Sequence, residues 1–170
     1  MSDALTRAEP IPPEPFAAPG VSITLASPMA RFSLRARDVK ALEGLLGRML
    51  PARIGVTEGE IACLGPDEWL LRTTPGSAIP QGEGEPLAVT QISDRAICLV
   101  VEGPRAAEVL MAGCPLDLDR FDTGRATRTI FETVEIVLLR SGDTRFEVEV
   151  WRSFAPWLHL ALTTAAAQLR

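Results

Sequence analysis

Residues 145–151, Arg-Phe-Glu-Val-Glu-Val-Trp, carry the cleanest alternation of polar and apolar positions in the chain. Side chains of a strand point alternately to its two faces. The pattern therefore predicts a half-buried strand, with Phe146, Val148 and Val150 inward and Glu147, Glu149 and Trp151 outward. Residues 31–37 alternate in the same way, with Phe32, Leu34 and Ala36 between Arg31, Ser33, Arg35 and Arg37. Asp38 then suits a helix N-cap. Val39, Leu42, Leu45, Leu46 and Met49 fall on one helical face, and Pro51 stops the helix. Short strands are expected at 53–56 and 60–64 around Glu58-Gly59, and another at 69–73 after the turn Leu64-Gly65-Pro66-Asp67-Glu68.

A second series follows. Strands are expected at 87–92 and 96–101. Gly103 and Pro104 suit the N-cap and N1 positions of a helix bearing Ala107, Val109, Leu110 and Met111, which Gly113 ends. After a loop over 117–124 come strands at 128–131, 134–140 and 145–151. Ser153 is expected to cap a final helix with the apolar stripe Leu158, Ala161, Leu162, Ala165 and Leu169. Strands do not alternate singly with helices, so a doubly wound parallel sheet fits poorly. The order predicts an α+β fold of two related ferredoxin-like halves, with antiparallel sheets and helices packed on them. The Pro- and Gly-rich stretch 75–86 marks the boundary, giving one pseudo-duplicated domain over 23–170 with halves at about 23–80 and 87–170. Residues 1–22 form a proline-rich N-terminal arm. It reads either as a disordered tail or as an arm draped over another subunit through Ile11 and Phe16.

Composition narrows the function by exclusion. In 170 residues the net charge is −5 and aromatics are 5%, which argues against a nucleic-acid surface or an anionic membrane as partner. No apolar run reaches the roughly 18 residues that span a bilayer. The segment MSDALTRAEP has no basic region followed by an apolar core, so a cytoplasmic location is expected. Three cysteines without CxxC spacing and a single histidine speak against a zinc site. Cys63 and Cys98 read as small core residues. Cys114 follows a helix end with no cationic neighbour, an unfavourable place for a reactive thiolate. His159 has no local carboxylate to orient it as a general base, and reads as a surface or half-buried structural histidine. Asp117, Asp119 and Asp122 lack the glycine and distal glutamate of a calcium loop and read as a solvated loop. Neither GxGxxG nor GxxxxGK[ST] occurs, and Glu83 and Glu85 would repel phosphate. Arg31, Arg35 and Arg37 form either a solvated face or a basic face for a partner's carboxylates.

Several segments, in order, resemble the gamma subunit family of bacterial heterotetrameric sarcosine oxidase. They are Leu64-Gly65-Pro66-Asp67-Glu68-Trp69-Leu70-Leu71, Ile92-Ser93-Asp94-Arg95, Gly103-Pro104-Arg105-Ala106-Ala107, Gly113-Cys114-Pro115-Leu116-Asp117-Leu118, Arg128-Thr129 and Arg152-Ser153-Phe154. The resemblance spans roughly residues 25–168 and is firmest from 90 onward. It implies a fold like the folate-binding domain of the glycine-cleavage T protein. It also implies a structural subunit without a catalytic residue of its own, docked on alpha, beta and delta subunits. In that family the complex oxidatively demethylates sarcosine to glycine and hydrogen peroxide and passes the one-carbon unit to tetrahydrofolate. The FAD, FMN, NAD, zinc and tetrahydrofolate it uses belong to the other subunits. No position here matches a folate-binding carboxylate by motif. The alternatives are a tetrahydrofolate-binding or aminomethyl-transfer protein acting alone, motivated by fold analogy, and a stand-alone interaction module. Interfaces favour aromatic and arginine anchors. The expected contact residues, taken as exposed, are therefore Phe16, Trp69, Trp151, Arg152, Phe154 and Trp157.

Overall fold

The structure is a computed structural model and describes residues 9–80 and 86–169. Residues 1–8 of the expected arm and 81–85 of the expected boundary loop, including Glu83 and Glu85, lie outside the described residues.

Two antiparallel sheets make up most of the fold. One has five strands: β3 (Ala30–Ala36), β4 (Thr57–Glu58), β5 (Ile61–Gly65), β6 (Glu68–Thr73) and β7 (Leu87–Gln91), in the order β4-β5-β6-β3-β7. The other has six: β1 (Phe16–Ala18), β2 (Val21–Leu25), β8 (Ala96–Glu102), β9 (Ala126–Phe131), β10 (Val134–Gly142) and β11 (Arg145–Trp151), in the order β1-β2-β8-β11-β10-β9. Helix α1 (Val39–Leu46) covers the five-stranded sheet. Helices α2 (Ala106–Met111) and α3 (Ala155–Gln168) cover the six-stranded one. The α+β fold read from the sequence is the one observed.

The echo between halves extends to strand position. In one sheet β3 leads into α1 and lies between β6 and β7. In the other β8 leads into α2 and lies between β11 and β2. The strand preceding each central strand is exchanged. β2 leads towards β3 but pairs with β8, Ile23 opposite Val101. β7 leads towards β8 but pairs with β3, Leu34 opposite Val89. Each sheet is therefore completed by the segment next to the other.

Two main cores lie under the helices. One joins Leu42 and Leu50 to Phe32, Leu34, Ile61, Trp69 and Leu71. The larger joins Val109, Leu110, Leu158 and Leu162 to Ile23, Leu99, Val101, Phe146 and Val148. Asp38 caps α1 as expected, accepting from the backbone N–H groups of Lys40 and Ala41. Other boundaries differ. Met49 lies beyond the end of α1 and is exposed. The expected strand at 53–56 is displaced to β4. Gly103 does not cap α2, whose N-cap is Arg105. Ser153 does not cap α3, because a 3₁₀ turn over Arg152–Phe154 enters that helix and places Phe154 at the cap. The described part of the arm lies on this chain's own core: Ile11 is buried, and Phe16 is half-buried against the larger cluster.

Gly44 faces open space in the exposed side of α1, and glycine in a helix interior costs stability through backbone entropy. Gly44→Ala is expected to raise stability by about 0.5–1 kcal/mol, read as a higher urea midpoint.

Candidate functional site

The two sheets face each other, and the layer between them is mixed in character. Part is apolar: Ala62 of β5 packs on Ala126 and Leu139 of β9 and β10. The rest is ionic. Arg31 of β3 donates from Nε to Glu149 Oε2 of β11 at 2.6 Å, and both side chains are about 5% exposed or less. Arg31 also donates from Nη1 to the Met29 carbonyl, and Ser93 Oγ accepts from the Arg31 backbone N–H. Arg72 of β6 donates to Glu147 of β11, while its Nη1 lies 3.6 Å from Glu149 Oε1. Two arginines of one sheet thus meet two glutamates of the other. Burial alone would raise the Glu147 carboxyl. The Arg72 charge, hydrogen bonds from Arg72 and Ser141, and the Arg145 charge outweigh it and hold the group below the usual carboxylate range.

This arrangement corrects two expectations. Arg31 is on neither a solvated face nor a partner-facing one, because the face it shares with Arg72 is covered by the second sheet. Glu147 and Glu149 point away from the helix-side core as alternation requires, but that direction leads to the other sheet. Arg35 is half exposed and pairs with Asp67 and Glu68, both at 3.2 Å. Arg37 lies beyond β3 and is exposed. The available sequence signal was partial: Glu147 and Glu149 stand at period two on one strand, but the arginines they meet, Arg31 and Arg72, come from two different strands.

Beside the ion pairs the layer opens into a cleft of about 340 Å³, whose walls include Arg31, Arg35, Glu68, Arg95, Arg128, Glu149 and Trp151. The Arg95 guanidinium stacks over the Trp151 ring, 4.1 Å from its centroid. Arg128 pairs with Glu68 and Glu135. Glu149 Oε1 is buried and accepts no hydrogen bond among the described residues.

Of the expected contact residues, Trp151, Phe154 and Trp157 are exposed and lie close in sequence at the β11–α3 junction. The Trp151 and Phe154 rings are 6.3 Å apart. Arg152 is half-buried and lies 3.7 Å from Glu9. Phe16 is away from that group, on β1. Trp69 is not on the surface at all. It is 3% exposed, and its indole Nε1–H donates to the Pro51 carbonyl at 2.9 Å. β6 is covered on both faces, by α1 and its core on one side and the second sheet on the other, which removed the alternation that would have marked Trp69 as inward.

The remaining candidates have local roles. All three cysteines are buried, and burial pushes the Cys63 and Cys98 thiols up. His159 is half-buried, and burial holds its imidazole below the usual range. Asp117 accepts from the Asp119 backbone N–H and caps a 3₁₀ turn over Leu118–Arg120. That loop is not wholly solvated, since Leu118 and Phe121 are buried. Among the described residues no cluster of three or more His, Cys, Asp or Glu is placed to hold a metal. No helix among them is long and apolar enough to cross a membrane.

Residues 36–168 match the model of the sarcosine oxidase, gamma subunit family. A sarcosine oxidase gamma subunit from Corynebacterium sp. (strain U-96) is 33% identical over 143 residues, 75% of this chain and 70% of the relative. One from Arthrobacter sp. is 34% identical over 121 residues, 64% of this chain and 59% of the relative. Among solved structures, a chain of heterotetrameric sarcosine oxidase from Corynebacterium sp. U-96, in complex with pyrrole 2-carboxylate, superposes with a TM-score of 0.81 at 30% identity. That match covers 87% of this chain and 84% of the other. The glycine cleavage system aminomethyltransferase T from Bartonella henselae shares the fold, with a TM-score of 0.64 at 18% identity over 84% of this chain and 45% of its own.

Proposed function

The chain belongs to the sarcosine oxidase gamma subunit family, and from that premise we propose that it is a structural subunit of a heterotetrameric sarcosine oxidase, without an active site of its own. Its partners in this reading are the alpha, beta and delta subunits. Those chains hold the FAD, FMN, NAD, zinc and tetrahydrofolate and carry out the demethylation of sarcosine. The observation that carries the reading is the superposition on a chain of such an assembly over 87% of this one. The charged groups support it. Arg31, Arg72, Glu147 and Glu149 hold the two sheets together instead of converging on a substrate.

Trp151, Phe154 and Trp157, with Arg152 beside them, are the proposed docking surface. Exposed aromatic groups of this kind mark interaction sites, and truncating one central aromatic typically costs more than 1 kcal/mol of binding. Co-expression with the other three subunits should give a complex that co-purifies through a tag on this chain. Trp157→Ala is expected to weaken that association at least tenfold, about 1.4 kcal/mol, while leaving the urea midpoint of the chain unchanged. A wild-type chain that stays alone beside its partners would overturn the assignment. A variant that unfolds would return Trp157 to the core.

A further inference from the structure

Resting on the assembly reading above, we propose that the cleft between the sheets receives an extended acidic segment of a partner subunit, whose carboxylate pairs with Arg95.

The charge pattern of the cleft carries the proposal. Its other arginines are neutralised within the chain: Arg31 by Glu149, Arg35 by Asp67 and Glu68, and Arg128 by Glu68 and Glu135. Among the described residues no carboxylate lies within ion-pair distance of Arg95, which is exposed. Its stacking on Trp151 fixes the plane of the guanidinium. A fork held in one plane is suited to bidentate pairing with a carboxylate.

Glu149, on the same wall, is already engaged: Oε2 accepts from Arg31, and Oε1 lies buried 3.6 Å from Arg72 Nη1, so Arg95 is the charged group the cleft offers to an occupant. Trp151 belongs both to the cleft wall and to the aromatic group that continues through Phe154. An occupant covering both is a polypeptide, not a free carboxylate. A peptide segment supplies the carboxylate from an Asp or Glu side chain.

The test uses the full-length chain and the co-expressed remaining subunits. Arg95→Glu is expected to weaken association at least tenfold and to reverse its salt dependence, while Arg95→Lys retains part of the affinity. Trp157→Ala should weaken association without changing the salt dependence. The photo-crosslinking residue p-benzoylphenylalanine in place of Ile92, at the cleft wall, should capture a partner peptide containing Asp or Glu. Circular dichroism checks that each variant is folded. Unchanged association and salt dependence in Arg95→Glu overturns the inference alone, as does a crosslink to a segment without acidic residues. Capture of no partner peptide in an intact complex overturns it too. A wild-type chain that never co-purifies overturns the assembly reading and this inference together.

Discussion

Glu149→Ala is expected to lower the stability of the isolated chain by about 3–5 kcal/mol, the usual cost of removing one member of a buried ion pair. The change strands Arg31, which is 4% exposed, and withdraws one of the two carboxylates beside Arg72. Nothing nearby compensates, because Glu147 already accepts from Arg72 and the Arg31 contacts that remain are backbone and main-chain carbonyl ones. A shift of this size in the urea midpoint, followed by circular dichroism, is the measurement. Removing both charges together, as Arg31→Met with Glu149→Leu, should cost far less than the single change, since an apolar pair of similar volume often replaces a buried ion pair without loss. Equal losses in the single and the double variant would show that packing, not charge, holds the layer. The same network sets an acid limit. The Glu147 carboxyl is depressed in the folded chain, so its share of stability is present above the ordinary glutamate value of 4.5. That share disappears as pH falls through the lower folded value. Glu147→Gln should flatten this part of the pH profile.

Those four residues also show where sequence reading reaches and where it stops. The alternation in β11 was legible and placed Phe146, Val148 and Val150 in the core under α2 and α3. The same alternation said that Glu147 and Glu149 point the other way, which is correct. It could not say that another sheet waits there, because nothing local in residues 145–151 records what residues 30–36 and 68–73 do. Charged residues on the second face of a strand look the same whether they meet water or a complementary surface. Trp69 failed for a related reason: a strand covered on both sides loses its period, and Glu-Trp-Leu-Leu-Arg-Thr resembles an exposed turn exit until α1 is seen above it. The exchange of β2 and β7 between the sheets was likewise invisible, since their pairing partners lie roughly fifty to eighty residues away along the chain. At the β11–α3 junction the reading did better. Trp151, Phe154 and Trp157 fall outside every periodic apolar stripe, and that is where exposed aromatic groups sit.

Gly103→Ala is the second change expected to be severe, and it tests the strand exchange directly. Gly103 has φ +130, a conformation that side-chain-bearing residues rarely adopt and that costs of order 1–3 kcal/mol. A Cβ there would run inside hard contact with the Gly20 carbonyl oxygen and lie 3.0 Å from the Gly20 carbonyl carbon and from Val21 Cα. These are backbone atoms, with no rotamer to yield, and overpacking adds roughly 1–3 kcal/mol more. The Gly20 carbonyl also accepts from the Arg105 N–H at 3.0 Å, and the Gly103 N–H donates to Thr144 at 2.9 Å. Movement on either side therefore breaks a hydrogen bond. The part that can give way is the hairpin of β1 and β2, which carries Val21 and Ile23 into the larger core. A total loss of about 2–6 kcal/mol follows from the two costs. Amide hydrogen exchange should quicken first across residues 16–25, with β3 and α1 protected until the chain unfolds as a whole. Uniformly faster exchange in both sheets would mean that the hairpin is no separate unit and that the exchanged strand is needed for either sheet to stand. Slow exchange across 16–25 with an unchanged urea midpoint would mean that the backbone at Gly103 relaxes, and that the close approach to Gly20 is not what seats β2 on β8.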